Sequence, residues 1–356
     1  MGIKSLNKFL RNNCPNVYEP KHLSEFAYQK IAVDTSLFLC KFKAIDSNTW
    51  LNSFVNLIIS LRRNEVHPVF VFDNGCPKEK LPEREKRAQK RKEHKERIEM
   101  LEKSLKKFFE TEEIDQNLND EYTKLKNKSA RTLLQSIGFG KKEIDINLVQ
   151  DKLERLKKSY IVINPEDYEK LKNLFDTMNV PWIMAILEAE TTCADLCKRS
   201  IVDAVLSDDT DVLAYKNPVT ISKLNMLNDT CICIRYDNLL ENLEIDGNQF
   251  LDLCIMCGTD YNSNIFRVGP EKSFKYLQNT KSGRIEDLPN FLDTTILNYK
   301  EVRKLFENYD KYKLCEKIDF CGRPDFDELS LFFRINNVRL DVNSIAGHFL
   351  PKVVFK

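Results

Sequence analysis

The chain has 356 residues, 42% of them hydrophobic and 31% charged, with a formal net charge of +1. That is the length of one large domain or two, with the composition of a soluble globular protein. No apolar run approaches the roughly 18 residues that cross a bilayer, and the opening M-G-I-K-S-L has neither a signal-peptide profile nor, with Leu6 at its sixth position, a myristoylation pattern, so a membrane partner is excluded.

Eleven scattered cysteines in a chain without a secretory signal indicate reduced thiols and an intracellular setting. In a cellular eukaryote that setting would be the nucleus, otherwise the cytoplasm or a viral replication site.

In chain order, Gly2 to Leu10 is amphipathic. Ile31-Ala32-Val33 is a short apolar run ending at Asp34, with a helix-like run from Leu37. A strand that delivers an acid at its carboxyl end is how open α/β sheets build ligand sites. Asp34 taken alone reads first as the cap of the following helix. Residues 50–63 have helical spacing and a core-facing pattern. Val69–Phe72 is a second buried strand, again ending in an acid, Asp73, before an Asn74-Gly75 turn.

Residues 76–160 differ in composition and are expected to stand off the sheet as a helical insertion. From Cys76 to Glu110 basic residues exceed acidic ones by 5, and Glu83–Phe109 predicts a long exposed helix. Such a run serves a phosphodiester partner or is simply a solvated charged face. Lys80 and Arg87, seven apart, share a face if that helix begins early enough. Gly138 and Gly140 mark a turn, and Leu148–Lys158 a further helix.

Asn164-Pro165-Glu166-Asp167 has the chemistry of a helix start, and that helix runs to about Met178. Val180–Leu187 is extended or irregular and leads to Glu188 and Glu190. The apolar run Ile201–Leu206 reads as a strand that ends in Ser207-Asp208-Asp209-Thr210-Asp211. Carboxylates this close repel one another unless cations neutralise them, and hard divalent ions with oxygen ligands meet that need. A solvated acidic loop is the plain alternative. Short strands follow around Val219–Leu224 and Cys231–Ile234, then an apolar helix, Phe250–Cys257, and Asp260. Arg267-Val268-Gly269-Pro270-Glu271-Lys272-Ser273 is a tight turn opening a helix, either a phosphate site or an ordinary glycine turn.

Strands separated by helices imply a mostly parallel central sheet flanked by helices, an α/β fold, so strand ends share one edge. The recurrence of an apolar run followed by Asp, at Asp34, Asp73 and Asp209/Asp211, therefore predicts acids that converge in space. Cys254-x-x-Cys257 has a zinc-knuckle spacing without a second well-spaced pair, and His22, His67, His94 and His348 form no cluster. Phe326-x-x-Leu329-x-x-Phe332-Phe333 has sliding-clamp-peptide spacing without the leading Gln; an amphipathic helix end explains it more simply.

Taken together, M-G-I-K-S-L-N-K-F-L, I-A-V-D-T-S, V-F-V-F-D-N-G, E-A-E, S-D-D-T-D, L-C-I-M-C-G-T-D-Y and R-V-G-P-E-K-S resemble, in order, the motifs of the flap endonuclease/XPG-type family of structure-specific 5′ nucleases. The match spans about residues 1–75 and 160–280. The resemblance implies a PIN-like 5′ nuclease core in two parts, 1–75 and 161–265, with a helical arch inserted at 76–160. A helix–two-turn–helix element over 266–310 and a C-terminal tail over 311–356 complete it.

It further implies two Mg²⁺ ions, replaceable by Mn²⁺, on Asp34, Asp73, Glu188, Glu190, Asp209, Asp211 and Asp260. Lys80 and Arg87 would touch the scissile phosphate, and Gly2 would lie near the site. Arg267, Gly269, Pro270, Lys272 and Ser273 would grip a duplex around a K⁺ ion, and Lys90 and Arg91 would face the single strand. The implied partner is DNA with a 5′ flap, nick or junction, cut by a monomer. Departures are Arg267 in place of the first Gly of the turn, a longer insertion and a degenerate clamp peptide. A 5′→3′ exonuclease, a junction cutter, an inactive DNA-binding scaffold and a zinc-binding interaction module are the competing readings.

Overall fold

A computed structural model of the chain describes residues 2–130, 145–307 and 317–349. The turn expected at Gly138 and Gly140 lies outside the described residues. The elements in order are α1 (Leu6–Asn13), β1 (Glu19–His22), β2 (Lys30–Asp34), α2 (Thr35–Ile45), α3 (Trp50–Arg62), β3 (His67–Phe72), α4 (Leu81–Thr111), α5 (Gln116–Ala130), α6 (Ile146–Ser159), α7 (Pro165–Thr177), β4 (Trp182–Met184), α8 (Ala189–Lys198), β5 (Ala204–Leu206), α9 (Asp211–Ala214), β6 (Val219–Asn225), β7 (Thr230–Arg235), α10 (Tyr236–Leu243), α11 (Gly247–Cys257), α12 (Pro270–Gln278), α13 (Tyr299–Glu307), α14 (Phe326–Ile335) and α15 (Val342–Ala346).

The strands form one sheet in the order β1-β7-β6-β5-β2-β3-β4. β6, β5, β2, β3 and β4 are parallel, and an antiparallel pair, β7 and β1, extends one edge. The continuous apolar runs of β2, β3 and β5 are buried on both faces, as parallel strands between helix layers must be. Alternation sorts their side chains. Ile31, Val33, Phe70 and Phe72 join α2, α3, α7 and α14 in one core. Ala32, Val69, Val71 and Val205 join α8 in another. Phe70 and Phe175 stack in the first core with centroids 4.0 Å apart. A third core lies under α1, α10, α11, α12 and α13.

The chain divides into two compact units, one of residues 1–43, 48–81 and 163–356, the other of 44–47 and 82–162. The second unit packs α4, α5 and α6 on a small core of Ile98, Leu101, Leu105, Leu118, Val149, Leu153 and Leu156. The helix expected to be exposed along its whole length is so only over residues 84–93; its later turns carry this core. The polar half has no apolar face to bury and relies on ladder pairs such as Arg87–Glu83 and Lys92–Glu96.

One further expectation changes, and the amphipathic-helix reading of Phe326–Phe333 holds. The strand expected over Ile201–Leu206 is regular only from Ala204, because the chain turns at Ser200 with φ 56°. Leu329, Phe332 and Phe333, the clamp-peptide spacing, are buried in the first core on α14. Among the described residues no helix is long and apolar enough to cross a membrane.

Candidate active site

Parallel register decides where the acids go. Asp34 is the last residue of β2 and lies beside Val71 of β3, and Val33 lies beside Leu206 of β5. Asp73 directly follows β3. Asp209 and Asp211 follow β5, with Asp211 opening α9. Glu188 follows β4 and caps α8, and Glu190 stands in the first turn of that helix. Asp260 arrives on the bend after α11.

Local bonds hold this edge in shape. Asp34 Oδ1 accepts the Leu37 N–H at 3.1 Å, as the capping reading expects, from the last position of β2. Asp73 Oδ1 accepts the Ala189 N–H at 2.7 Å, which ties β3 to the start of α8. Asp209 Oδ1 accepts the Asp211 N–H at 3.0 Å. Asp208 turns away to Lys41 at 2.7 Å and to the Lys223 N–H at 2.8 Å. The motif S-D-D-T-D thus sends its second and third acids inward and its first outward.

Carboxylate oxygens of Glu190, Asp209 and Asp211 all lie within 4.8 Å of one another. Asp211 Oδ1 is buried with no hydrogen-bond partner among the described residues. A buried, unpartnered carboxylate oxygen beside two other acids is what a hard cation requires and what a fold without one would avoid.

Lys80 supplies positive charge to the other side of the cluster. Its Nζ donates to Glu188 Oε1 at 2.5 Å and Glu190 Oε1 at 3.4 Å, and pairs with Asp260 Oδ2 at 3.1 Å. Burial alone would lower this ammonium, but Glu190, Glu188 and Asp260 outweigh it and hold the lysine well above its usual range. Burial pushes Asp34 up to about 8, with Asp73 and Asp209 adding repulsion. Burial also raises Glu190, Asp209 and Asp211; repulsion adds to it, from Asp211, Glu188 and Asp209 at Glu190, from Asp260 at Asp209, and from Asp209, Asp260 and Glu188 at Asp211.

Gly2 lies against the same edge. A Cβ there would fall 2.0 Å from Asp209 Oδ1 and 2.7 Å from Thr210 Oγ1, and its φ is +87°, where glycine is favoured. The Ile3 N–H donates to Thr210 Oγ1 at 3.0 Å, pinning the start of the chain.

The remaining expected residues stand on other elements. Lys80 and Arg87 share no helical face, because α4 begins at Leu81 and Lys80 ends the 3-10 turn before it. Arg87 is an exposed residue of the second unit bonded to Glu83 at 3.1 Å, and Lys90 and Arg91 are exposed on the same helix. Gly269 caps α12, Pro270 is its first residue and Lys272 is exposed in its first turn. Arg267 is exposed and has φ 61°, the left-handed conformation a glycine would take without strain. Ser273 departs from expectation. It is fully buried on the inner side of α12, so its hydroxyl faces the core rather than a duplex. Cys254 and Cys257 are buried within α11, where thiols pack as small apolar groups.

Sequence reasoning missed Tyr261 and Tyr215. Tyr261 donates to Glu188 Oε2 at 3.0 Å, and the two tyrosine hydroxyls are 2.8 Å apart. The one available signal was the tyrosine directly after Asp260.

Comparison with known proteins agrees with this geometry. The XPG N-terminal domain matches residues 1–94 and the XPG I-region residues 179–260. The chain is 32% identical to the probable RAD2-like endonuclease 369L of Invertebrate iridescent virus 6, over 98% of this chain and 92% of that protein. It is 30% identical to flap endonuclease 1 of Enterocytozoon bieneusi, over 86% of this chain and 77% of that protein. Its fold is similar to the catalytic core of Rad2 in complex with DNA substrate, with a TM-score of 0.62, 17% identity and coverage of 98% and 99% of the two chains. A parallel sheet with acids gathered at its carboxyl edge, two matched family segments and near full-length relatives lead to one conclusion: the chain belongs to the flap endonuclease/XPG-type family of structure-specific nucleases.

Proposed function

We propose that this protein hydrolyses phosphodiester bonds in DNA at 5′ flaps or at junctions of single and double strands, with two Mg²⁺ ions, replaceable by Mn²⁺, as cofactors. One observation carries the reading. Glu190, Asp209 and Asp211 bring carboxylate oxygens within 4.8 Å of one another, and Asp211 Oδ1 is buried with no hydrogen-bond partner among the described residues.

Asp34, Asp73, Glu188, Glu190, Asp209, Asp211 and Asp260 are the residues that would hold the ions. Bound there, the ions supply Lewis-acid charge and a water acidic enough to react near neutral pH. The net reaction is addition of a water oxygen to phosphorus and departure of one ester oxygen, which takes up a proton. Lys80 is placed to offset charge on the phosphate as the bond breaks. Gly2 keeps side-chain bulk away from Asp209 and Thr210 and so leaves their edge of the site open.

Arg87, Lys90 and Arg91 are exposed cations suited to the single strand. Lys272, the N–H groups of the first turn of α12, and Arg267 are suited to duplex phosphates. A K⁺ ion at the turn before α12 belongs to the same proposal, since Arg267 adopts the backbone conformation that a glycine there would give. Contact with a sliding clamp through Phe326–Phe333 is not part of it, because Leu329, Phe332 and Phe333 serve the core.

The test is a 5′-labelled flap substrate incubated with Mg²⁺ or with EDTA, beside Asp211→Ala. Metal-dependent cutting at the flap base that the variant lacks is expected. Release of mononucleotides alone would replace the endonuclease with a 5′→3′ exonuclease. Intact binding with no cutting of flap, nicked, blunt or junction DNA would sink the catalytic reading.

A further inference from the structure

Behind the acids runs a chain of hydroxyls with no place in the chemistry above. Tyr261 follows Asp260, and its ring meets Phe306 edge-on with centroids 5.4 Å apart. Its hydroxyl donates to Glu188 Oε2 at 3.0 Å. Tyr215, 1% exposed at the end of α9, places its own hydroxyl 2.8 Å from that of Tyr261.

A phenol has one proton to donate. Tyr261 spends it on the carboxylate, so Tyr215 must be the donor to Tyr261. The order Tyr215 to Tyr261 to Glu188 is therefore fixed. Glu188 Oε1 meanwhile accepts from Lys80 at 2.5 Å. Both oxygens of this carboxylate are thus set by donors that are themselves held by packing.

The space beside the carboxylate makes this matter. A cavity of about 330 Å³ is walled by Pro77, Leu187, Glu188, Thr191, Tyr261 and Leu305. Without the Tyr261 hydroxyl, Glu188 has room to turn away from Glu190 and Asp211. Tyr261 does not belong to the acid cluster, and packing alone would be served as well by phenylalanine.

We propose that Tyr261, backed by Tyr215, is a positioning residue that fixes the orientation of Glu188 for divalent-metal binding. This rests on the metal-site reading given under Proposed function. Partners behind a metal ligand are typically worth 10- to 100-fold in affinity.

The test is Mn²⁺ titration of the full chain by electron paramagnetic resonance, without nucleic acid. It compares wild type, Tyr261→Phe, Tyr215→Phe, the double variant and Asp211→Asn, with thermal melts in EDTA to check folding. Tyr261→Phe is expected to raise the Mn²⁺ Kd about tenfold or more, and Tyr215→Phe less. The double variant should be no weaker than Tyr261→Phe, since the two act in series. In flap cleavage, the Mg²⁺ needed for half-maximal rate should rise while KM for DNA stays within about twofold, a split that lost packing would not produce. Should Tyr261→Phe fail to fold, Tyr215→Phe carries the test alone, and an unchanged Kd overturns the proposal. A wild-type Kd in Tyr261→Phe, with Asp211→Asn deficient, overturns the positioning role and leaves the metal site standing. A wild-type Kd in Asp211→Asn overturns the metal-site reading and this inference with it.

Discussion

Asp252 and Asp211 are both buried acids in the same unit, and their surroundings are opposite. Asp252, on α11, accepts from Arg284 Nε at 2.7 Å, from Arg303 Nε at 2.6 Å and Nη2 at 2.5 Å, and from the Ile285 N–H at 3.2 Å. Glu286 takes the rest of Arg303 and is held down to about 2, chiefly by that bond. Two acids there meet two guanidiniums. At the sheet edge three acids, Glu188, Glu190 and Asp260, share Lys80, and Asp211 keeps a buried oxygen with no donor among the described residues. A balanced cluster is complete in itself and ties α11 to α13. An unbalanced one raises the proton affinity of its members and calls for charge from outside. Surplus charge, rather than burial of charge, therefore marks the functional region.

The largest effect that sharpens this contrast is on catalysis. Asp211→Ala should lower single-turnover flap cleavage by about 10³-fold or more, some 4 kcal/mol of barrier. Removing one surplus charge should not lower the thermal midpoint in EDTA, and a large drop there would place Asp211 with the structural acids. Asp252→Ala should do the reverse. It takes the shared buried partner from two half-buried arginines, of which Arg303 keeps Glu286, and should cost about 3 kcal/mol of stability by urea unfolding. The rate of the folded fraction should stay within about threefold of wild type. A stable but inactive Asp252→Ala protein would dissolve the distinction.

Lys80→Met should reduce cleavage by about 10²-fold. It also removes charge compensation from Glu188, Glu190 and Asp260, so its thermal midpoint should fall in EDTA and largely recover in Mg²⁺. Equal losses in both conditions would make Lys80 structural.

The smallest effect concerns acid. His67 is pushed down to about 4, first by burial and then by Arg62 and Lys30. The fold holds it neutral, accepting the Cys321 N–H at 3.1 Å. Its folded value lies below the ordinary histidine value near 6.5, so its contribution is present above about pH 6.5. It is lost as pH falls from there towards 4. Melts of wild type and His67→Leu across this range should show a shallower acid limb in the variant.

The sheet was legible because buried parallel strands are continuous apolar runs, and β2 and β3 carry their acids as the next chemical event in the chain. β1 was not legible. Its sequence, Glu19-Pro20-Lys21-His22, is polar and half-exposed, and only pairing with β7 makes it a strand. β4 has three residues, too few for a period to show. The helical unit hid its core because Ile98, Leu101 and Leu105 are sparse in a charged run, and their partners come from α5 and α6. Lys80 was legible by spacing within a motif, but its three carboxylate partners lie more than 100 residues away. The tyrosine pair gave no signal as a pair beyond the place of Tyr261 after Asp260, since Tyr215 and Tyr261 meet only after β5, α9 and α11 have packed.

β2 sits in the middle of the sheet, between β3 and β5, so the strand that brings Asp34 waits for Ala204 before both its edges are paired. The last acid of the cluster, Asp260, comes later still. At synthesis rates of about 5–20 residues per second, roughly 10–45 s separate the two ends of the site. Over that interval a nascent chain holds scattered acids and no assembled cluster. The order of the strands acts as a timer, and a protein that cleaves nucleic acid stays harmless at the ribosome until Asp260 has been made.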